Sequence, residues 1–482
     1  MWQSAAWILA IDWMLRIGFA IHVVMRRRSI GMSLSWLMIV LLFPFVGPAV
    51  YLVLGHNWLG IMRSKWAARM PQHYKAWKAR QAEWFYDDWP ERLGDPAQLS
   101  RIIAAASGEQ PLGGNKLKLL ESTRAIFASM IADIDNAHSS CNMEFYIWEV
   151  GGWADKFCES LRAAAARGLK VRILVDAVGS RGFLRSPQCA ELRAAGAEVR
   201  AALPVWPLRA LFYRFDLRMH RKTLIVDDTI GYVGSQNIAD PKIFRHGAGF
   251  GQWVDAMVRM VGPAVDSLSM VFFEDWHFEQ SDFETANQWE SVRPIPAAEG
   301  TVPVQVVPAG PGIDSEAIVQ ILLNAIYMAD QRLTITTPYF VPDESLQRAL
   351  ISAARRGVEV TLVVPKKVDS RLVRLAGRPF LRELVHAGVM VAEYHRGMLH
   401  TKSITIDHDT SFFGSLNLDP RSLELNFELM VAIYDDSFTR DLIALQKEYV
   451  AQSDILSANQ IIIPAFPVRF AESCVRLVSP LL

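Results

Sequence analysis

His220-Arg-Lys222-Thr-Leu-Ile-Val-Asp227 and, 180 residues later, His400-Thr-Lys402-Ser-Ile-Thr-Ile-Asp407 are one motif written twice in a single chain. Each copy reads His-x-Lys, four residues, then Asp. Each is followed by Gly-Ser-x-Asn, as Gly234-Ser235-Gln236-Asn237 and Gly414-Ser415-Leu416-Asn417. Histidine supplies a nucleophile or a proton carrier, and lysine a fixed positive charge for an oxyanion such as phosphate. One His-x-Lys is most simply a surface histidine beside a lysine. Two copies with matched followers point instead to a site built across a pseudo-symmetric interface, with one histidine from each half. Apolar residues alternate within each copy (Leu224, Val226; Ile404, Ile406), as in half-buried strands. A period of two puts His220 with Lys222, and His400 with Lys402, on one strand face, within reach of one phosphate.

Working outward, the repeat extends well beyond the motif. In the first half Asn142–Glu149 reads as a strand, Asp155–Arg167 as a helix and Leu169–Asp176 as a buried strand; in the second, Arg332–Phe340, Glu344–Arg356 and Val358–Pro365 repeat that order. Gly168 and Gly357 are matching helix C-caps. The fold expected is α/β: two pseudo-symmetric α/β/α lobes, 111–297 and 298–460, sharing one active site. An N-terminal two-helix membrane hairpin (1–60), a juxtamembrane helix and linker (61–110) and a C-terminal amphipathic tail (461–482) flank them. The lobes differ before the histidine, with 52 residues from Gly168 to His220 against 43 from Gly357 to His400. Part of the excess is Leu203–Arg218, where aromatics alternate with Arg209, Arg214 and Arg218. That composition suits a membrane-dipping loop with arginines for phosphates; the plainer reading is a packed loop with solvated arginines.

The chemistry follows from residue types. Two histidines in one pocket can divide phosphoryl transfer, one attacking phosphorus while the other protonates the leaving oxygen and then deprotonates the acceptor. Ser235, Asn237, Ser415 and Asn417 offer neutral donors to phosphate oxygens, and Gly234 and Gly414 permit close backbone approach. A nucleophilic histidine needs a carboxylate on its other nitrogen. Trp253-Val-Asp255-Ala-Met-Val and Asn426-Phe-Glu428-Leu-Met-Val align as equivalent strands, which makes Asp255 and Glu428 the expected orienters. Asp227 and Asp407 belong to the catalytic motif, but they follow apolar strand residues and read as salt-bridge partners or turn caps. No metal-ligand cluster is apparent, so no metal and no cofactor are expected; the lysines supply the positive charge.

Composition narrows the substrate. Lys+Arg and Asp+Glu both number 50, a balance that argues against a general nucleic-acid partner. Residues 30–55 carry no charged side chain, and at about 1.5 Å per residue they can cross a hydrocarbon core of roughly 30 Å. Residues 2–25 are interrupted by Asp12 and Arg16, which share a helical face at i,i+4 and can neutralise each other. If both segments span, Arg26-Arg27-Arg28 lies opposite the body, and the six basic residues from Arg63 to Arg80 favour a cytoplasmic body. Trp66, Trp77, Trp84 and Trp89 among those basic residues suit a segment lying on anionic lipid, or else an amphipathic helix packed on the body. Cys141, Cys158, Cys189 and Cys474 are scattered, as expected for reduced thiols.

The twin motif with its Gly-Ser-x-Asn followers resembles the phospholipase D superfamily. With the N-terminal hydrophobic segments, Glu144-Phe-Tyr-Ile-Trp148, Thr336-Thr-Pro-Tyr-Phe-Val-Pro342 and Ser479-Pro-Leu-Leu482, the whole chain looks like a bacterial cardiolipin synthase. The resemblance implies a multi-pass enzyme of the bacterial inner membrane. It implies transfer of a phosphatidyl group from one phosphatidylglycerol to another through a phosphatidyl-histidine, releasing glycerol without a metal. His220 would be the nucleophile and His400 the acid/base, with Tyr146, Trp148 and Tyr339 along the lipid path. Hydrolysis of phospholipids, or phosphatidylethanolamine as donor, remains open on the motifs alone. The two-fold that makes the site lies within one chain, so the sequence is silent on oligomeric state.

Overall fold

The computed structural model describes residues 2–26, 30–55, 62–63, 77–89, 96–205, 216–245, 247–279, 295–312, 316–457 and 465–478. The first lobe supplies β1 (Leu112–Leu120), β2 (Ser140–Phe145), β3 (Lys170–Asp176), β4 (Glu198–Ala202), β5 (Lys222–Val226), β6 (Ile230–Gly234), β7 (Trp253–Val254) and β8 (Met257–Val261). The second supplies β9 (Val302–Ala309), β10 (Arg332–Thr336), β11 (Glu359–Pro365), β12 (Met390–Tyr394), β13 (Met398–Leu399), β14 (Ser403–Ile406), β15 (Thr410–Gly414), β16 (Glu428–Tyr434) and β17 (Ser453–Leu456). Outward from the middle, one lobe runs β1-β8-β6-β5-β2-β3-β4 and the other β9-β16-β15-β14-β10-β11-β12-β17. Those orders correspond strand for strand as far as β4 and β12, and β17 adds an edge strand to the second lobe. The lobes therefore meet at the antiparallel β1–β9 pair as halves of one 15-stranded sheet.

Chain connectivity explains the mixture of directions. β2, β3 and β4 run parallel, as do β10, β11 and β12, because a helix returns the chain between neighbours. The motif strands β5 and β14 pair antiparallel with β2 and β10, and hairpins then lead into β6 and β15. Gly168 and Gly357, each directly after its helix's C-cap residue, take φ of 90° and 96°, a left-handed turn that costs a Cβ-bearing residue strain. The register shift between β1 and β9 is filled by buried Asn115. Its amide donates to the carbonyls of Leu112 (2.7 Å) and Val302 (2.9 Å), and its oxygen accepts from Ala264 N (2.8 Å). A shared core lies across the seam, where Val258, Phe272, Val306, Phe413, Phe427 and Val431 pack together from both lobes. Truncating Phe413 or Phe427 there to alanine costs about 3–5 kcal/mol.

At the N-terminus α1 spans Trp2–Met25, and its Ala6–Met25 portion, 20 residues long, is apolar enough to cross a membrane. The 30–55 stretch is not one spanning helix. It breaks into α2 (Ile30–Leu42) and α3 (Val46–Leu54), each shorter than a hydrocarbon core requires. Asp12 and Arg16 form the expected ion pair, and that pair holds the break: Asp12 Oδ1 accepts from Phe45 N (2.8 Å) and Arg16 donates to Leu41 O (2.8 Å). Beyond it the chain turns back. Tyr51 of α3 meets Phe19 and His22 of α1 and Trp36 of α2, with ring centroids at 5.7, 5.9 and 5.2 Å. Residues 30–55 thus descend to the level of Asp12 and climb again towards the C-terminal end of α1. Gly47 permits the hairpin, since a Cβ there would lie 2.2 Å from Ile39 O.

Of the two readings of the tryptophan-rich linker, the structure shows packing on the body at Trp77 and Trp89. Trp77 Nε1 and Gln81 Nε2 donate to Asp266 of the first lobe (2.6 and 2.7 Å), and Trp89 packs edge-on against Tyr434. These tryptophans pack on the body rather than on lipid, because buried Asp266 and half-buried Tyr434 offer partners that a headgroup layer would have to replace; Trp66 lies outside the described residues. Arg63 is buried against the Asp275 carboxylate (2.5 Å) and over the Phe427 ring. Cys141, Cys158 and Cys189 are buried free thiols. The C-terminal helix Phe466–Val478 docks through Glu472 on Arg382 and leaves Phe466 and Phe470 exposed.

Candidate active site

Each motif strand starts at the seam, and the seam crosses the two halves. The segment before His220 pairs with the other lobe at the Met219–Phe427 bridge, and His220 N donates to Phe427 O (2.9 Å). The segment before His400 does the same in reverse: β13 pairs parallel with β7, and His400 N donates to Val254 O (2.8 Å). Each histidine therefore lies beside the residue next to the other lobe's carboxylate. His220 Nδ1 is 2.9 Å from Glu428, and His400 Nδ1 is 2.7 Å from Asp255. Nε2 of each ring is left for the cavity.

The carboxylates are held in turn. Ser235 Oγ donates to Asp255 (2.6 Å), and Ser415 Oγ (2.5 Å) and Ser422 Oγ (2.8 Å) donate to Glu428. This corrects one expectation: the Gly-Ser serines are fully buried and bond carboxylates, not a phosphate. The reason lies in the glycines. A Cβ on Gly234 would lie 2.6 Å from Ala256 O and one on Gly414 2.2 Å from Leu429 O, so each glycine lets its strand press against the segment bearing the carboxylate. Asn237 Oδ1 accepts from Ile147 N, Asn417 Nδ2 donates to Ser422, and both asparagines line the cavity.

Asp227 and Asp407, grouped by sequence with the catalytic motif, point away from it. Asp227 accepts from the backbone N–H of His138 (2.8 Å), Ser139 (2.7 Å) and Ser140 (2.9 Å). Asp407 accepts from those of Asp330, Gln331 and Arg332. Each caps the turn entering the neighbouring strand; of the two structural roles expected, salt bridge or turn cap, the geometry is the second. Lys222 and Lys402 are buried beside the histidines, each ammonium donating to the carbonyl of its own motif's histidine.

The electrostatics make two neutral imidazoles. Burial, with the neighbouring lysines, pushes His220 down to about 4 and His400 to about 3, although Glu428 and Asp255 pull the other way. Burial lowers Lys222 to about 8; burial and the facing Lys222 bring Lys402 well below its ordinary value. Burial opposes ionisation of Asp255 and Glu428, but histidine, lysine and serine partners outweigh it and hold both below the usual carboxylate range. The lysines and the carboxylates oppose one another in the site, and a bound phosphodiester adds negative charge beside the two imidazoles.

The histidines face one cavity of about 320 Å³, lined also by Tyr146, Tyr339, Trp253 and the arginines 218, 245 and 421. Tyr146 stands edge-on to His220 (5.0 Å) and Trp253 lies against His400 (4.1 Å). Trp148 is not on this path: it is fully buried and stacked on Phe183 (4.2 Å), because the chain after β2 turns that side chain into the first lobe's core. Arg209 and Arg214 lie outside the described residues. Sequence reasoning passed over Arg245, Asp369, Asp419 and Arg421. For the last two a signal exists, since Asp419-Pro-Arg421-Ser422 follows the Gly-Ser-x-Asn block after one residue, Leu418, as an Asp N-cap with Pro at the first helical turn.

The comparisons with known proteins agree with this architecture. Residues 130–246 and 322–449 match the family model described as cardiolipin synthase, PLD-like domain, and residues 15–56 match that of the phospholipase D-nuclease N-terminal region. Cardiolipin synthase A of Erwinia tasmaniensis is 39% identical, covering 99% of this chain and 98% of the relative. That of Edwardsiella ictaluri is 39% identical over 98% and 97%. A solved phosphatidylserine synthase from Haemophilus influenzae shares the fold, with a TM-score of 0.58 at 15% identity over 80% of this chain and 100% of that one. With identity running through both lobes and the N-terminal helices, the chain belongs to the cardiolipin synthase family of the phospholipase D superfamily.

Proposed function

We propose that this protein is a cardiolipin synthase that moves a phosphatidyl group between two phosphatidylglycerols through a covalent histidine. The observation that carries the reading is the pair of neutral, carboxylate-oriented imidazoles facing one cavity. The phosphodiester of the donor adds one negative charge beside the imidazoles and draws a proton onto His400. His220 Nε2 attacks phosphorus, the bond from phosphorus to the glycerol oxygen breaks, and His400 gives that oxygen its proton. A second phosphatidylglycerol then places a primary hydroxyl at the vacated position. His400 takes the hydroxyl proton, the new oxygen–phosphorus bond forms, and the histidine–phosphorus bond breaks to restore His220. Glu428 and Asp255 hold Nδ1–H of the two rings throughout, and the lysines offset charge on the phosphoryl oxygens.

Purified protein supplied with labelled phosphatidylglycerol should give cardiolipin and glycerol. Phosphatidic acid as the main product would replace this reading with hydrolysis, and transfer from phosphatidylethanolamine alone would replace the donor. A phosphatidyl adduct mapped to His400 would exchange the two histidine roles.

The location follows from the same chain. We place α1 across the bacterial inner membrane, with 30–55 as a hairpin that enters and leaves on one side. The arginines 26–28 and the body then share a side, and both sets of positive charge favour the cytoplasm. The exposed Phe466 and Phe470 face the same bilayer.

A further inference from the structure

Cardiolipin carries two phosphates joined through one glycerol, so transfer between two phospholipids places two anions in the cavity at once. The His/Lys centre accommodates the phosphorus that reacts. The acceptor keeps its own phosphate, one glycerol away from the attacking hydroxyl and therefore outward of His400. Three arginines line the cavity. Arg218 sits low, 11% exposed, with its guanidinium 3.8 Å from buried Asp176, and Arg421 donates to the carbonyl of Asp216. Arg245 is different. Its side chain is 49% exposed and it pairs across the lobes with Asp369 (2.7 Å), which also accepts from the Tyr339 hydroxyl (2.6 Å).

The loop that carries Arg245 also borders the His400 side of the cavity. The preceding residue, Phe244, packs edge-on to Trp253 at 5.1 Å, and Trp253 lies 4.1 Å from His400. Arg245 itself takes a left-handed φ of 49°, and Gly247 and Gly249 follow it with φ of 85° and 84° and open space where a Cβ would stand.

We infer that Arg245 is the ligand for the phosphate of the acceptor phospholipid, released from Asp369 when that lipid enters. A guanidinium matches a phosphodiester with two parallel N–H donors. Asp369 keeps its Tyr339 hydrogen bond after the exchange, so the carboxylate is not stranded.

The inference rests on the two-lipid transfer proposed above, and two reactions of one preparation separate them. Exchange of labelled glycerol into phosphatidylglycerol needs one phospholipid in the site; cardiolipin formation needs two. In Arg245→Gln the ratio of cardiolipin formation to glycerol exchange should fall about 10- to 100-fold, the scale of one charge-assisted contact. Arg245→Lys should recover part of that ratio. An unchanged ratio in Arg245→Gln, whether both rates fall or neither does, overturns the inference. Failure of the unsubstituted enzyme to form cardiolipin from phosphatidylglycerol overturns the two-lipid reading instead. Because Arg245 is half exposed and held by one ion pair, its replacement leaves the core untouched.

Discussion

Glu428→Gln is the sharpest test of the crossed pairing. The substitution keeps the size of the side chain and its place beside Ser415, Ser422 and His220, and removes one charge. When His220 bonds to phosphorus its ring gains positive character, which Glu428 stabilises from 2.9 Å. Coulomb's law at that separation, with an effective dielectric of about 20, gives roughly 6 kcal/mol as a ceiling. At 1.36 kcal/mol per power of ten this is about 10⁴ in rate, similar to the roughly 10⁴ lost when the carboxylate of a serine-protease triad becomes an amide. The amide can also donate its N–H to Nδ1, forcing the proton onto Nε2 and removing the nucleophilic lone pair. Relaxation and water entry reduce the ceiling, so the expected loss in cardiolipin formation is about 10²–10⁴-fold. Product should be counted by mass spectrometry from labelled phosphatidylglycerol in mixed micelles, with a thermal melt alongside to establish that the variant is folded. A folded Glu428→Gln protein working within tenfold of the parent would refute the argument, since a carboxylate that merely packs against His220 is replaced by an amide at little cost.

Three further outcomes follow from the same geometry. Binding of a non-transferable phosphodiester lipid analogue near pH 7 should take up a proton, because burial holds His400, Lys222 and Lys402 below their ordinary values and an anion raises all three; affinity then strengthens as pH falls, and calorimetry in buffers of different ionisation heat showing no uptake would contradict this. Asp227→Asn should cost about 1–3 kcal/mol of stability, with activity per folded molecule largely retained, since its carboxylate caps three backbone N–H groups. Those bonds keep Asp227 below its ordinary pKa despite burial, so its stabilisation is present above the unfolded value near 3.8 and disappears as pH falls through the folded one; a melt unaffected by the substitution, or activity lost without loss of stability, would count against the cap role. Single cysteines introduced at Ser29 and Asn57 should react with an impermeant maleimide from the same side of the membrane; labelling from opposite sides would restore two crossings.

Much of the site is legible in the sequence because it is local. A period of two and a fixed offset to Gly-Ser-x-Asn are properties of one strand and one hairpin, and they identify His220, Lys222, His400 and Lys402 without reference to the partner lobe. Aligning the two halves also makes Asp255 and Glu428 equivalent. Which histidine each carboxylate meets is a property of how the lobes dock, and no residue spacing encodes it. The serines show the same limit: Ser235 and Ser415 look like phosphate donors until the close approach at Gly234 and Gly414 turns them onto carboxylates. Trp148 follows Tyr146 by one strand period, which suggests a shared face, but β2 ends at Phe145 and the period ends with it. The apolar 30–55 run reads as a single span because hydropathy measures composition along the chain. Its reversal is set by Phe43–Phe45 and by Asp12 and Arg16, a contact made across more than thirty residues.

The crossed wiring also bears on when the enzyme becomes active. A ribosome that has delivered only the first lobe has delivered His220 without Glu428, and Asp255 without His400. The emerging half therefore carries a phosphodiester-seeking imidazole that nothing orients, held close to a bilayer made of its own substrate. Competence arrives in one step, when the second lobe closes the seam and both rings are oriented together. Orientation of either histidine for lipid attack thus waits on the carboxylate of the other lobe.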